Sequence, residues 1–204
     1  MATKNIHMTG DWAIRLANRQ DIPAMMALEE RYYVGNLDPS ERAKGFISNL
    51  QSQEWFTWAV DSSGVHVAVT DDQAVVGFIA VTDPPTPSQV GGSPIIQSVL
   101  DLAESLEFNG KPIKQMRFAL RGPVCVAEAA RGSGVYSAFN AATQAAYRDR
   151  FDLGVLFVAV DNPRSLHTTT TKLGAEPLAV FEVDSRQYHF LAFSFRPEAT
   201  PHPN

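Results

Sequence analysis

Hydrophobic and polar residues along this chain alternate with a period of two in some segments and of three to four in others. Segments with the two-residue period, or with a short continuous apolar run, predict β-strands. The predicted strands are residues 13–17, 65–70, 75–81, 114–126 (interrupted near Gly122-Pro123), 154–160, 178–183 and 187–195. Polar turns at residues 71–73 and 184–186 predict two hairpins.

Segments with apolar residues three and four positions apart predict helices between these strands. The first begins after Asp21, an expected N-cap, with Pro23 just inside. The other predicted helices run from Ser40 to about Leu50, over residues 54–60, over residues 95–106 up to Asn109-Gly110, from Gly134 to about Arg150, and from Asn162 to Gly174. The pattern indicates one α/β domain over residues 11–196, with flexible ends at residues 1–10 and 197–204.

A glycine-rich turn, Arg131-Gly132-Ser133-Gly134, stands between the strand that ends at Val126 and the next helix. The N–H groups of such a turn, together with the helix dipole, form a site suited to a phosphate or pyrophosphate. Arg131 can add a charge-assisted contact. Residues 154–160 complete a βαβ unit, so the two strands are expected to be parallel neighbours with a right-handed crossover.

Two familiar phosphate-binding motifs fit this turn poorly. Val135-Tyr136 follows where the Walker A motif needs Lys-Ser or Lys-Thr, and Ser137 is only a near match to the third small residue of the dinucleotide fingerprint. Asp161 lies too far along the chain to serve as the ribose-binding acid of that fingerprint. A helix entry that binds no ligand remains the alternative interpretation.

Composition narrows the function classes. The chain has 204 residues, 45% of them hydrophobic, and a formal net charge of −5, which is ordinary for a globular protein and argues against nucleic acid as a partner. The single cysteine, Cys125, excludes an internal disulfide, and the five histidines have no ligand-like spacing, so no metal site is expected. The longest apolar run has strand length, so we expect a cytoplasmic protein with no membrane partner.

Residues 124–135 (VCVAEAARGSGV) resemble the acetyl-CoA motif of the GNAT superfamily of N-acetyltransferases. Arg131 takes the first place of that motif and Gly134 its central glycine. The resemblance implies an enzyme that transfers an acetyl group from acetyl-CoA to an amine acceptor, by direct attack in a ternary complex. The implied partner is a small-molecule or peptide amine.

A second match lies downstream. Asn162 follows a hydrophobic strand, and residues 172–175 (KLGA) are similar to the Lys-Leu-Gly-Phe ending of the family's next segment. The resemblance extends over about residues 12–195. It implies a mixed α/β sheet in which antiparallel strands are followed by a βαβ unit whose parallel strands splay apart.

The resemblance also implies where the acyl donor binds. Pantetheine would lie in the splay and pair with backbone groups of Val124 and Val126, as an added strand would, and a backbone N–H near Val126 would stabilise the oxyanion. The turn would hold the pyrophosphate, while Asn162 and Ser165 would reach the pantetheine arm. The implied cofactor-binding residues are Val124, Val126, Arg131, Gly132, Ser133, Gly134, Val135, Tyr136, Asn162 and Ser165.

Departures from the family's pattern leave the catalytic residues unidentified. Tyr136 stands where Gly or Ala is usual, and Thr169 stands where the family often has a tyrosine that protonates the leaving thiolate. Water or His167 are the alternatives for the general acid. For the general base, a water chain suffices when the amine loses its proton to solvent. The carboxylates considered are Glu29, Glu30, Glu54 and Asp161, each of which fits a solvated surface group better.

Three further features each carry a prediction. Cys125 is expected to be a buried structural thiol, because strand alternation turns it away from the faces of Val124 and Val126. The aromatic cluster within residues 55–58 fits an acceptor pocket or the core equally well. The insertion at residues 83–110 is expected to cover the acceptor site or to form a homodimer contact.

Two other functions remain open. One is a CoA-binding sensor or regulatory module that transfers no acyl group. This function remains an alternative because Thr169 stands where the family often has its tyrosine acid. The other is a nucleotide-binding domain that uses residues 132–134. The second predicts that ATP or NAD binds in preference to CoA.

Overall fold

An eight-stranded mixed sheet lies at the centre of the molecule in the computed structural model, which describes residues 6–7, 12–86 and 93–196. In chain order the strands are β1 (Ile6–His7), β2 (Trp12–Leu16), β3 (Val65–Thr70), β4 (Val75–Thr82), β5 (Glu107–Phe108), β6 (Lys111–Pro112), β7 (Phe118–Val126), β8 (Leu153–Ala159), β9 (Glu176–Val183) and β10 (Arg186–Ser194). The sheet order is β1-β2-β3-β4-β7-β8-β10-β9, and β5 pairs with β6 separately. Neighbours in the large sheet are antiparallel except β7 and β8, which are parallel. The predicted α/β fold class is confirmed.

Helices cover both faces of this sheet. Within the described residues the α-helices are α1 (Ile22–Arg31), α2 (Pro39–Arg42), α3 (Gln53–Asp61), α4 (Pro94–Ser105), α5 (Val135–Tyr147) and α6 (Pro163–Thr168), and a π-helical turn over Thr169–Leu173 follows α6. Met25 of α1 and Phe56 of α3 pack with Phe78 of β4 on one face. Phe139 of α5 packs with Ile79, the next residue of β4, on the other face. Successive residues of a strand point to opposite faces, so β4 contributes to both cores.

Strands β7 and β8 are paired over only three residues each. The pairs are Phe118–Leu153, Ala119–Gly154 and Leu120–Val155. Beyond Leu120 the two strands separate, so the sheet is closed at Leu120 and open towards Val126. This confirms the predicted parallel pair with splayed ends.

An irregularity in β7 turns one side chain to a face that strict alternation would not give it. Ile79 of β4 pairs with Val124 of β7, and Val81 pairs with Arg121. The step between these pairs is two residues along β4 but three residues along β7. The extra residue is a β-bulge, and it falls at Gly122-Pro123. Arg121 therefore lies on the same face as Val124, against α5.

The second predicted helix is wrong for most of its length. Instead of running from Ser40 to about Leu50, the helix is the four-residue α2. Gly45 has a φ of 89°, in the left-handed region that ends helices. Ile47 then pairs with Tyr33, so a tertiary contact replaces the helical hydrogen bonds that the apolar spacing indicated.

Two other boundaries differ from the prediction. Helix α4 ends at Ser105, and Asn109-Gly110 forms the turn between β5 and β6, because its φ values of 51° and 71° suit a tight hairpin. Strand β7 begins at Phe118, after a 3₁₀ turn over Ile113–Gln115.

Asp21 precedes α1 as expected, but its carboxylate makes no cap hydrogen bond to that helix. It accepts two hydrogen bonds from Arg15, at 2.7 and 2.8 Å, and one from the N–H of Asn18 at 2.8 Å. The capping box belongs to the preceding 3₁₀ turn, with Asn18 as its N-cap.

Part of the predicted N-terminal flexible segment is a strand, since β1 pairs with β2. The rest of residues 1–10, residues 197–204 and residues 87–92 of the insertion lie outside the described residues. The described helices include none that is long and apolar enough to span a membrane.

Candidate functional site

A cleft of about 290 Å³ lies where β7 and β8 separate. Its floor is formed by both strands, one wall by the N-terminal ends of α5 and α6, and the other by residues 44–51. It is the natural place for an extended ligand, because unpaired strand backbone and two helix N-termini face the same space.

The glycine turn forms the open end of this cleft. Gly132 and Gly134 have φ values of 84° and 94°, and Gly134 is the N-cap of α5. Ser133 fixes the turn from behind: its hydroxyl accepts a hydrogen bond from Trp12 Nε1 at 3.0 Å and donates one to the carbonyl of Ala130 at 2.8 Å. The first N–H groups of α5 have no partner within the helix and remain available to an anion.

The Arg131 side chain braces the turn instead of projecting from it. Its Nε donates to the carbonyl of Val126 at 3.0 Å and its Nη1 to the carbonyl of Lys44 at 2.9 Å. Its guanidinium carbon lies 4.6 Å from the centre of the Tyr32 ring. Arg131 thus joins β7 to the 44–51 wall and contributes its charge from that fixed position.

The backbone of β7 presents alternate polar groups to the cleft. The N–H of Ala127 donates to the carbonyl of Val76 at 2.8 Å, so it points towards β4. Because polar groups alternate in direction along a strand, those of Val126 and Val124 point away from β4 and into the splay. The carbonyl of Val126 already accepts a hydrogen bond from Arg131. The N–H of Val126 is therefore the group of this residue that faces the cleft and is not bonded to the Arg131 side chain.

Asn162 joins two walls of the cleft. The residue is 3% exposed. Its Nδ2 donates to the carbonyl of Phe46 at 3.0 Å, and its Oδ1 accepts from the N–H of Ser165 at 3.3 Å, which caps α6. The amide therefore holds the 44–51 wall against α6.

A buried polar cluster lies at the closed end. Arg121 is 5% exposed, and its Nη2 donates to Tyr136 Oη at 3.2 Å and to Asn140 Oδ1 at 2.9 Å. Tyr136 Oη is 3.4 Å from Thr169 Oγ1. Asn140 is oriented by its Nδ2, which donates to the carbonyl of Lys172 at 3.2 Å. Arg121, Tyr136 and Thr169 all line the cleft.

The charge of the cleft opposes that of the whole chain. Five basic side chains line it, and the described lining residues include no Asp or Glu, although the formal net charge of the chain is −5. These basic residues are Lys44, Arg121, Arg131, Arg164 and Lys172. A concave surface with one sign of charge and exposed N–H groups favours a polyanion.

The structure brings the sequence-predicted cofactor residues together, with one exception. Val124, Val126, Arg131, Gly132, Gly134, Val135, Tyr136, Asn162 and Ser165 line the cleft. Ser133 does not, because its side chain is turned towards Trp12. The sequence pattern indicates neither the 44–51 wall nor the place of Arg121 in the cleft. The sequence predicts an interruption of the strand near Gly122-Pro123, but alternation alone does not show which face Arg121 takes.

The candidate catalytic groups are scattered. Glu30, Glu54 and His167 are exposed away from the described lining, and exposed Asp161 pairs with Arg186 at 2.8 Å. Thr169 lies in the cleft wall. The described residues contain no group of three or more His, Cys, Asp or Glu side chains that could hold a metal ion.

Cys125 and the aromatic cluster belong to the core. Cys125 is 4% exposed, and burial raises the pKa of its thiol to about 12, so the thiol stays neutral. Trp55, Phe56 and Trp58 pack with α1 and β4, not around the cleft. Of the two interpretations of this cluster, the structure favours core packing.

Glu29 is buried, so the sequence-based prediction of a solvated carboxylate is wrong. It is 1% exposed, its Oε2 accepts from the N–H of Gln51 at 2.9 Å, and its Oε1 has no partner among the described residues. Burial raises the pKa of this carboxyl from 4.5 to about 7, although the N–H of Gln51 opposes the change. Gln51 lines the cleft, and Glu29 lies behind it.

Glu29→Gln is expected to stabilise the protein above pH 7. The native carboxyl holds its proton up to about pH 7 and the unfolded one only to about 4.5, so the wild type loses stability as pH rises through this window. The difference corresponds to up to about 3 kcal/mol. Urea denaturation at pH 4 and pH 8 measures it. Equal stability of the two proteins at pH 8 would contradict a strained buried carboxylate.

Solved structures share this architecture. An acetyltransferase of the GNAT family from Streptococcus agalactiae is similar with a TM-score of 0.63 and 15% identity, over 93% of this chain and 98% of that one. Ard1 from Thermoplasma volcanium is similar with a TM-score of 0.61 and 16% identity, over 91% and 98%. A chain of the NatC complex bound to Gag peptide and CoA has a TM-score of 0.60 and 11% identity, over 91% and 99%.

This chain resembles known proteins in its structure but not detectably in its sequence. No protein-family model matches the chain, and no curated protein matches it. The three structural likenesses extend over nearly the whole of each chain. The chain therefore has the fold of the GNAT-family acetyltransferases.

Proposed function

We propose that this protein is an N-acyltransferase that transfers an acetyl group from acetyl-CoA to an amine. The observation that carries the proposal is the cleft between β7 and β8, which is lined by the glycine turn, two helix N-termini and five basic residues in an otherwise acidic chain. CoA carries its pyrophosphate and a further phosphate at one end and a neutral arm at the other. A cleft with a basic open end and unpaired strand backbone along its floor suits such a molecule.

Residues of each cleft region would have distinct roles in binding. The N–H groups of Gly134, Val135 and Tyr136 would bind the pyrophosphate at the start of α5. Backbone groups of Val124 and Val126 would pair with the amides of the pantetheine arm. Arg164, on the first turn of α6, would add charge for the phosphates.

The same strand backbone suits the chemical step. An uncharged amine attacks the thioester carbonyl carbon, and negative charge develops on the carbonyl oxygen. An N–H of β7 that faces the splay would stabilise this charge, an effect of about 3–4 kcal/mol for a well-placed donor. The attacking nitrogen then releases a proton to solvent, the carbonyl re-forms as the C–S bond breaks, and CoA leaves as a thiolate that takes a proton from solvent.

The 44–51 wall is where we expect the acceptor to approach. It lies across the cleft from α5 and α6, and its Ser48 and Asn49 provide polar groups that could bind an amine. The NatC complex, which shares the fold, binds both a peptide and CoA. We therefore propose a small-molecule or peptide amine as acceptor. A cytoplasmic location remains a prediction, as does an insertion at residues 83–110 that covers the acceptor site or forms a homodimer contact.

Thiol release with a panel of amines tests the transfer reaction. The panel should hold polyamines, amino acids and peptides with free N-termini, each incubated with protein and acetyl-CoA. Release of CoA thiol that depends on both amine and protein is the expected result. Tight CoA binding with no release for any amine would favour the CoA-binding sensor instead.

Arg164→Glu is expected to weaken CoA binding about tenfold at low ionic strength and less at high salt, because screening reduces exposed charge interactions. Arg148→Glu is the matched control, since Arg148 is equally an exposed arginine but lies just after α5, away from the cleft. Calorimetric titration at two salt concentrations measures both variants. Equal weakening by the two substitutions would show that only the net charge matters.

A further inference from the structure

The cleft contains a buried cation that has no acidic partner among the described residues. Arg121 is 5% exposed, and its guanidinium is bonded to no described carboxylate. Its Nε is buried and makes no hydrogen bond to a described residue. A guanidinium that is taken out of water usually pairs with an anion, because neutral partners do not repay its lost hydration. The groups described around Arg121 therefore satisfy it only in part.

Neutral groups hold this guanidinium in one orientation. Its Nη2 donates to Asn140 Oδ1 at 2.9 Å and to Tyr136 Oη at 3.2 Å. Asn140 is itself fixed, because its Nδ2 donates to the carbonyl of Lys172 at 3.2 Å. The guanidinium carbon lies 5.4 Å from the centre of the Tyr136 ring and 5.9 Å from that of Phe193. These contacts orient the cation and add no negative charge, so it is preorganised for an anion from outside the chain.

Further hydrogen-bond donors lie beside the cation in the cleft. Arg121 lines the cleft, and no described residue accepts a hydrogen bond from its Nη1. Tyr136 and Thr169 also line it, and their hydroxyl oxygens are 3.4 Å apart. Only one of the two hydroxyl protons can lie between these oxygens, so the other is left for a ligand. A cation and a hydroxyl donor are thus combined at one place in the cleft.

A carboxylate fits this site better than a phosphate does. The site has a single buried positive charge, flanked by the rings of Tyr136 and Phe193 and by a neutral amide. One planar anion with one charge neutralises it, whereas a phosphate brings more charge and needs more donors. In the proposed function, the phosphates of CoA already bind the first N–H groups of α5 and the exposed Arg164.

We propose that Arg121 binds a carboxylate that one of the two substrates carries. The inference rests on the proposed acyl transfer and narrows its substrates. The carboxylate belongs either to the acyl group, as in a malonyl donor, or to the amine acceptor, as in an amino acid. In the first case that acyl group replaces acetyl in the proposed reaction. Arg121 is then a specificity-determining residue, because an uncharged analogue of the same shape leaves the buried cation unpaired and binds more weakly.

Calorimetric titration with malonyl-CoA and isovaleryl-CoA tests the acyl group as the source. The two acyl groups have nearly the same shape, but malonyl ends in a carboxylate and isovaleryl in two methyl groups. If the acyl group carries the carboxylate, the wild type should bind malonyl-CoA about tenfold more tightly. Arg121→Gln should abolish this preference, and Arg121→Lys, which keeps the charge, should retain part of it.

Thiol release from acetyl-CoA with amino acids and with their amides tests the acceptor as the source. If the acceptor carries the carboxylate, kcat/KM of the wild type should be about tenfold higher for the amino acids. The ratio between amino acid and amide is compared in the wild type and in Arg121→Gln, which cancels the different basicity of the two amines. Arg121→Gln should abolish the preference here too.

Arg164→Gln is the matched control, because it removes one positive charge from the same cleft at an exposed arginine on α6. It should weaken both acyl-CoA compounds alike and keep any preference for the carboxylate. Thermal unfolding checks that the variants fold. If Arg121→Gln does not fold, the preferences of the wild type and of Arg121→Lys decide.

A preference in either arm that Arg121→Gln abolishes supports the inference and identifies the substrate that carries the carboxylate. If the wild type shows no preference in either arm, or Arg121→Gln retains it, the inference is wrong. Equal weakening of both acyl-CoA compounds by Arg121→Gln, with no preference among acceptors, would assign Arg121 to CoA itself and also overturn the inference. If the wild type binds neither acyl-CoA compound, the proposed function itself fails.

Discussion

Gly134→Val is expected to lower the affinity for CoA about 1,000-fold. Gly134 has a φ of 94°, a conformation that a β-branched residue avoids, and it is the N-cap of α5. A valine would force the turn to relax and would rotate the first N–H groups of the helix away from a common point. Losing two or three charge-assisted hydrogen bonds to phosphate accounts for about 4 kcal/mol, which is about 1,000-fold in affinity. Calorimetric titration with CoA measures it.

Gly110→Val is the matched control for backbone strain. Gly110 has a φ of 71° in the β5–β6 hairpin, away from the cleft, and an added Cβ there meets no atom within 4 Å. Both substitutions should cost about 1–2 kcal/mol of stability, but only the one at Gly134 should affect CoA binding. Wild-type affinity in Gly134→Val would show that the pyrophosphate site lies elsewhere.

Asn162→Ala is expected to cost about 2–3 kcal/mol of stability, because it removes a helix cap and leaves the carbonyl of Phe46 without its donor. The 44–51 wall would then lose its link to α6, so the affinity for CoA should also fall, by about tenfold. Urea denaturation and calorimetric titration measure the two effects. The structure predicts that both occur together.

Asn18→Ala separates capping from this bridging role. Asn18 caps the 3₁₀ turn before α1, where its Oδ1 accepts from the N–H of Gln20 at 2.8 Å, and it is exposed. Its replacement should cost about 1 kcal/mol and leave CoA affinity unchanged. If Asn162→Ala lowers the free energy of unfolding no more than Asn18→Ala does, the contact between Asn162 and Phe46 contributes nothing to stability.

The sequence was most informative where local chemistry determines local structure. The glycines at 132 and 134 predict a turn between a strand and a helix, and the structure has that turn, with left-handed backbone at both positions. The apolar run of β8 predicts a strand buried on both faces, and six of its seven residues are buried. Such features depend on neighbours in the chain, so a single sequence suffices to find them.

Features that depend on distant contacts were not predictable in the same way. Phe46 and Ile47 belong to a segment whose apolar spacing predicts a helix. Their actual positions are set by tertiary contacts: the Phe46 carbonyl accepts from Asn162, far away in the chain, and Ile47 pairs with Tyr33. The burial of Glu29 depends on Gln51, and the face taken by Arg121 depends on a bulge whose register only β4 reveals.

The central claim is that the cleft between β7 and β8 binds acyl-CoA. Parallel calorimetric titrations of the wild type with acetyl-CoA, CoA, ATP and NAD test it most directly. We expect micromolar binding of acetyl-CoA and CoA, with ATP and NAD binding far more weakly. Absence of CoA binding, or binding of ATP or NAD as tightly as CoA, would contradict the account.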